Sequence, residues 1–149
     1  RENDFSDYWS RARAALGVLQ ARHEVMIVEG VGGLLAPIAE RDGQILSNLD
    51  WAKQCDLPVV LVARRGLGTI NHTLLTLRVL QAQGVEVIGL IFCDADPIEE
   101  SDVAVQTSPT LISEISGLPI LGNVPFVEDL SRENLKKVAH ECFGEALSD

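Results

Sequence analysis

The chain has 149 residues, enough for one domain with a genuine core and too few for two ordinary ones. Its 12 basic residues against 22 acidic ones leave a formal charge of −10. No Lys/Arg cluster is visible, so nucleic acid is set aside as a partner. The longest apolar run, Leu57 to Ala63, falls far short of the roughly 20 residues that span a bilayer. The opening residues do not read as a secretory leader, so neither a membrane nor export is expected.

Cys55, Cys93 and Cys142 are odd in number and show no CxxC spacing, which reads as free thiols in a reducing cytoplasm. His23, His72 and His140 are equally scattered and give no support to a His/Cys metal cage. The chain opens on Arg1 rather than Met, which reads as a truncated or trimmed product.

In chain order, Asp4 to Arg22 carries Phe5, Tyr8, Trp9, Ala12, Ala15, Leu16 and Leu19 at helical spacing. Val25-Met26-Ile27-Val28 reads as a buried strand, followed at once by Gly30, Gly32 and Gly33. Ser47 caps a short helix to about Cys55, and Pro58 to Ala63 is a second buried strand. Thr69 to Gln83 is the clearest helix, with Ile70, Leu74, Leu77 and Leu80 along one face and Gly84 as its stop. Val85 to Phe92 makes a third strand. Cys93 to Ser108 is polar and loop-like, and Ser108-Pro109 opens a helix ending near Gly117. Pro119 to Val124 is the fourth strand, and Ser131 to about Ala146 the last helix. Apolar strands alternating with helices predict a single α/β domain over residues 1–149, with a parallel sheet covered by helices on both faces.

Ligands of such sheets gather at the carboxyl ends of the strands, and three places qualify. The first is Glu29-Gly30-Val31-Gly32-Gly33, where a carboxylate beside close-approaching backbone suits Mg²⁺ with phosphate oxygens and water. The plainer alternative is a strand end in water followed by a turn. The second is Arg64-Arg65-Gly66-Leu67-Gly68-Thr69-Ile70-Asn71-His72, a glycine-rich helix start whose free N–H groups attract a carboxylate or a phosphate. Its spacing is not GxxxxGK[ST], and a capped turn with solvated arginines explains it equally well. The third pairs Cys93-Asp94 with Pro125-Phe126-Val127, which together could flank a flat ring such as adenine.

Taken together, the segments resemble the dethiobiotin synthetase family. Val28-Glu29-Gly30-Val31-Gly32-Gly33-Leu34-Leu35-Ala36-Pro37 is similar to its VEGAGG segment. Leu57 to Ala63 and Gly66-Leu67-Gly68-Thr69-Ile70-Asn71-His72-Thr73-Leu74-Leu75-Thr76 follow in the family's order. Gly84 to Gly89 and Leu121-Gly122-Asn123-Val124-Pro125 complete the match over nearly the whole chain.

The resemblance implies a P-loop NTPase-like fold and a ligase that turns 7,8-diaminononanoate and CO₂ into dethiobiotin at the expense of ATP. It implies Mg²⁺ on Glu29, with Gly30, Val31 and Gly32 against nucleotide or substrate. Gly66, Leu67, Gly68, Thr69 and Asn71 would meet the substrate's carboxylate across a homodimer. Pro125, Phe126 and Val127 would hold adenine, with Cys93 and Asp94 on the same nucleotide.

The family also begins with a glycine-rich loop ending in GKT, then a second lysine and an aspartate, none of which stands in this sequence. Lys53, Lys136 and Lys137 are its only lysines. Cys93 replaces an asparagine that bonds adenine in relatives, and a thiol is a weaker donor and acceptor. The chain is therefore expected to be the carboxyl-terminal portion of such an enzyme, inactive on its own and either self-associating or marginally stable. A dimerising or binding module without catalysis is the first alternative. Another ligase of the same superfamily is the second, but the Cys and His pair of its amidases has no convincing candidate here.

Overall fold

The computed structural model describes residues 6–144, in two compact units, Arg1–Leu57 and Pro58–Asp149. In the first, α1 (Ser6–Gln20) follows the expected helical spacing; Asp4 and Phe5 of the predicted helix lie outside the described residues. Trp9 is the buried anchor of α1, packed edge-on against Trp51 with ring centroids 5.2 Å apart. Tyr8 and Leu19 remain largely in water.

The expected strand at Val25–Val28 does not form. A buried strand in a parallel sheet draws its hydrogen bonds from neighbouring strands. None of the described strands pairs with this run, and Val25 and Ile27 stand 81% and 91% exposed.

A hairpin not foreseen from the sequence follows instead: β1 (Pro37–Arg41) pairs antiparallel with β2 (Gln44–Ser47). Its signal is legible in retrospect. Asp42 and Gly43 both take positive φ, 53° and 75°, as a two-residue turn between twisted strands requires. Helix α2 (Asn48–Cys55) starts where expected, on Ser47. The Asp50 carboxylate accepts from the Ser47 N–H and hydroxyl, each at 2.7 Å. Those bonds hold the Asp50 pKa below its ordinary 3.8, the backbone bond contributing most.

The second unit is a three-stranded parallel sheet in the order β3 (Val59–Ala63), β4 (Val87–Cys93), β5 (Ile120–Val124). Helix α3 (Thr69–Ala82) connects β3 to β4, and α4 (Val103–Ser116) connects β4 to β5. Leu77 of α3 and Ile112 of α4 close over Leu90 and Phe92, with Leu61, Ala63, Ile70, Leu74 and Ile120 around them. The opposite face is covered at β5 by α5 (Arg132–Phe143), whose predicted extension to Ala146 leaves the described residues. Toward β3 that face is open, with Val60 and Val62 exposed.

Helix α4 starts six residues before the expected Pro109. Asp102 is its true cap, accepting from the Ala104 N–H at 2.7 Å. Pro109 sits inside the helix, at the loss of one backbone donor. The i, i+3, i+4, i+7 stripe of Val105, Ser108, Pro109 and Ile112 is buried, and that packing outweighs the break. Ser108 donates its hydroxyl to the Ala104 carbonyl.

Two glycines on β4 and β5 make room for neighbouring side chains. A Cβ on Gly89 would meet Leu121 at 2.5 Å, and one on Gly122 would collide with the Phe143 ring. Gly122→Ala is therefore expected to destabilise the second unit by about 1–3 kcal/mol, read as a lowered denaturant midpoint. Asp50→Ala is expected to cost about 1 kcal/mol near neutral pH. Because the folded pKa of Asp50 is depressed, that difference is complete above pH 3.8. It fades as pH falls through the lower folded pKa, which paired denaturation curves at pH 6 and pH 3 would reveal.

Candidate functional site at the carboxyl ends of the strands

The parallel register brings three of the expected segments to one end of the second unit's sheet. Ala63 lies opposite Phe92, and Cys93 opposite Val124. The loop 64–68, the Cys93-Asp94 pair and Pro125-Phe126-Val127 therefore all leave the same edge. Gly66 and Gly68 take φ of 115° and 87°, a conformation that disfavours any side chain. Gly68 is the N-cap of α3, and Leu67 between them is 96% exposed. The Thr69 hydroxyl donates to the Arg64 carbonyl at 2.6 Å, and its N–H reaches the Gly66 carbonyl at 3.3 Å. Thr69 is consequently buried, whereas Asn71 and His72 face solvent on the first turn. A helix start of this kind leaves N–H groups without intrahelical acceptors, where an anion is stabilised.

At the end of β4, Cys93 is a half-buried free thiol. Asp94 differs from what its sequence context suggested. Its side chain is only 1% exposed, and both carboxylate oxygens accept from the Arg65 guanidinium, Nε at 3.2 and 3.1 Å and Nη2 closer still. The Asp94 N–H extends the ladder to the Val124 carbonyl at 3.0 Å. Arg65 also donates to Glu100 at 3.1 and 3.4 Å. Phe126 offers a ring 40% exposed beside Pro125 and Val127.

Glu29, Gly30, Val31 and Gly32 belong to the first unit, and all four are exposed. The shape of their loop is set by Asn48, which no sequence signal singled out. Its amide nitrogen donates to the carbonyls of Val31 at 2.7 Å and Gly33 at 2.8 Å, and its oxygen accepts from the Val31 N–H at 3.2 Å. A Cβ on Gly30 would stand 2.9 Å from that same oxygen, so the glycine makes room for the clamp.

A family profile described as an AAA domain matches residues 2–134. Curated proteins named ATP-dependent dethiobiotin synthetase BioD match as well. The one from Thermodesulfovibrio yellowstonii is 36% identical over 87% of this chain and 55% of its own length. Those from Geobacillus kaustophilus and Bacillus licheniformis are 34% and 42% identical, over 87% and 76% of this chain and 53% and 46% of theirs. The chain belongs to the AAA domain family, and these curated relatives are dethiobiotin synthetases.

It spans about half the length of the curated dethiobiotin synthetases it matches. The expected family and α/β class are thus borne out, with a three-stranded parallel sheet flanked by helices. Among the described residues no helix is long and apolar enough to cross a membrane. For this dethiobiotin synthetase relative, Asn48→Ala is expected to cost about 0.5–1.5 kcal/mol, the net worth of exposed bonds that water replaces. Hydrogen exchange should show the Val31 amide, which donates to Asn48 Oδ1, losing protection. Unchanged exchange there would mean that Asn48 does not hold the loop.

Proposed function

We propose that this chain serves an ATP-dependent ligase of biotin synthesis, which closes 7,8-diaminononanoate and CO₂ into the cyclic urea of dethiobiotin. The observation that carries this reading is 34–42% identity to dethiobiotin synthetases over most of the chain. In the proposed chemistry one amine adds to CO₂ and loses a proton, forming a carbamate. A carbamate oxygen then takes the terminal phosphoryl group of ATP, and ADP leaves. The second amine attacks the same carbon and expels phosphate, closing the ring. Such transfer rests on positioning and charge neutralisation rather than on a covalent enzyme intermediate.

The residues fit that division of labour. Gly66, Leu67, Gly68, Thr69 and Asn71 form a helix start suited to the substrate's carboxylate, supplied in this reading across a homodimer. Cys93, Pro125, Phe126 and Val127 flank the base of the nucleotide, and Asp94 braces that rim. Gly30, Val31 and Gly32 offer backbone to phosphate or substrate.

Among the described residues no group of three or more His, Cys, Asp or Glu could hold a metal by itself. Glu29 offers one exposed carboxylate, which fits Mg²⁺ that keeps its waters and phosphate oxygens. Bound there, the ion would neutralise phosphate charge. The cradle for the phosphates themselves is not drawn from this sequence, which contains no GxxxxGK[ST]. A cytoplasmic setting is consistent with three free cysteines.

The test is formation of dethiobiotin from 7,8-diaminononanoate, bicarbonate and Mg-ATP, followed by mass spectrometry, with the chain expressed in its complete reading frame. Product is expected there, and none from the 149-residue chain alone. Glu29→Gln should lower kcat on the order of 100-fold at unchanged thermal stability. A complete protein that binds the diamine without turnover would instead leave only the binding-module reading.

A further inference from the structure

Adjacent arginines at the end of β3 have opposite fates. Arg64 is 74% exposed and stands 4.0 Å from Asp96, itself 82% exposed, a separation at which a solvated pair contributes little. Arg65 turns inward: its side chain is 17% exposed and its guanidinium meets the buried Asp94 carboxylate through two nitrogens. Hydrogen bonding to Asp94, then to Glu100, raises the Arg65 pKa above its ordinary value, against the opposing effect of burial. The cation is therefore permanent.

This one group links three parts of the rim. Through its own backbone it belongs to the loop that Gly66 and Gly68 bend into the start of α3. Through Asp94 it holds the end of β4, whose N–H is bonded to β5 at Val124. Through Glu100 it reaches the approach to α4, where the Glu100 carbonyl accepts from Gln106 Nε2 at 2.8 Å. A planar fork can serve both carboxylates at once, which the single ammonium of lysine cannot do with the same geometry.

We propose that Arg65 is a positioning residue: by locking the glycine loop to the end of β4, it sets the affinity of the α3 helix start for the substrate's carboxylate. The inference rests on the function proposed above and deepens it. Arg65 spends its donors on Asp94 and Glu100, so it acts on the substrate through the loop and leaves the reacting atoms untouched. Affinity should therefore move while the chemical step does not.

The experiment compares Arg65→Met, Arg65→Lys and Asp94→Asn with Arg78→Met, which removes a charge from an exposed position of α3. In the complete reading frame, KM for 7,8-diaminononanoate is expected to rise roughly tenfold or more in Arg65→Met and Asp94→Asn. The kcat should stay within about threefold, with Arg65→Lys intermediate and Arg78→Met unchanged. Hydrogen exchange should speed up together in residues 66–72 and 94–102, with 132–143 unaffected. Loss of kcat at unchanged KM, or exchange that leaves either segment unaltered, would overturn the proposal. If Arg65→Met fails to fold, Arg65→Lys keeps a charge on Asp94 and carries the same comparison. If the unmodified protein makes no dethiobiotin, the functional reading falls, while the paired exchange response still decides whether Arg65 locks the two segments.

Discussion

A carboxylate with almost none of its surface in water has to be neutralised where it stands, and Asp94 is. Its partner Arg65 is placed by the last turn of chain after β3, so the pair forms only if β3 and β4 lie side by side and in register. The apolar face beneath supplies that condition, with Leu90 and Phe92 fully enclosed by α3 and α4. Core and rim thus depend on each other. Packing aligns the strand ends, and the ion pair fixes the loops that those ends release.

The first unit meets an equivalent demand with neutral groups. Its glycine loop has carbonyls to satisfy and no sheet to satisfy them, and the Asn48 amide supplies both donors and an acceptor. Asn48 can do so because it is the first residue of α2, whose own start is fastened by Ser47 and Asp50 and by Leu49 N–H on the Leu34 carbonyl. The first residue of a helix thereby shapes a loop 15 to 17 residues earlier in the chain.

What could be read in advance was whatever depends on a few neighbouring residues. Ser47 as a cap, Gly84 and Gly117 as stops, and the apolar runs of β3, β4 and β5 all carry their structure locally. Val25–Val28 has the composition of a strand but lacks a described neighbour to bond with, and no composition supplies a partner. Pro109 misled for the opposite reason: a local start signal was overruled by the buried stripe on which it lies. The glycine-rich segments of the site were visible as such, since positive φ at Gly66 and Gly68 leaves a trace in residue type. Asn48, Arg65 and the inward turn of Asp94 left no such trace. An exposed and a buried arginine read alike, and only the fold tells Arg64 from Arg65.

The bare flank of β3 sets two forces against each other. Val60 and Val62 form a short-range adhesive strip beside a row of backbone groups that no described strand occupies. A formal charge of −10 pushes copies of the chain apart over distances that salt shortens to about 10 Å at 0.1 M. Ionic strength, rather than sequence alone, therefore governs whether two such flanks ever come near enough to stick.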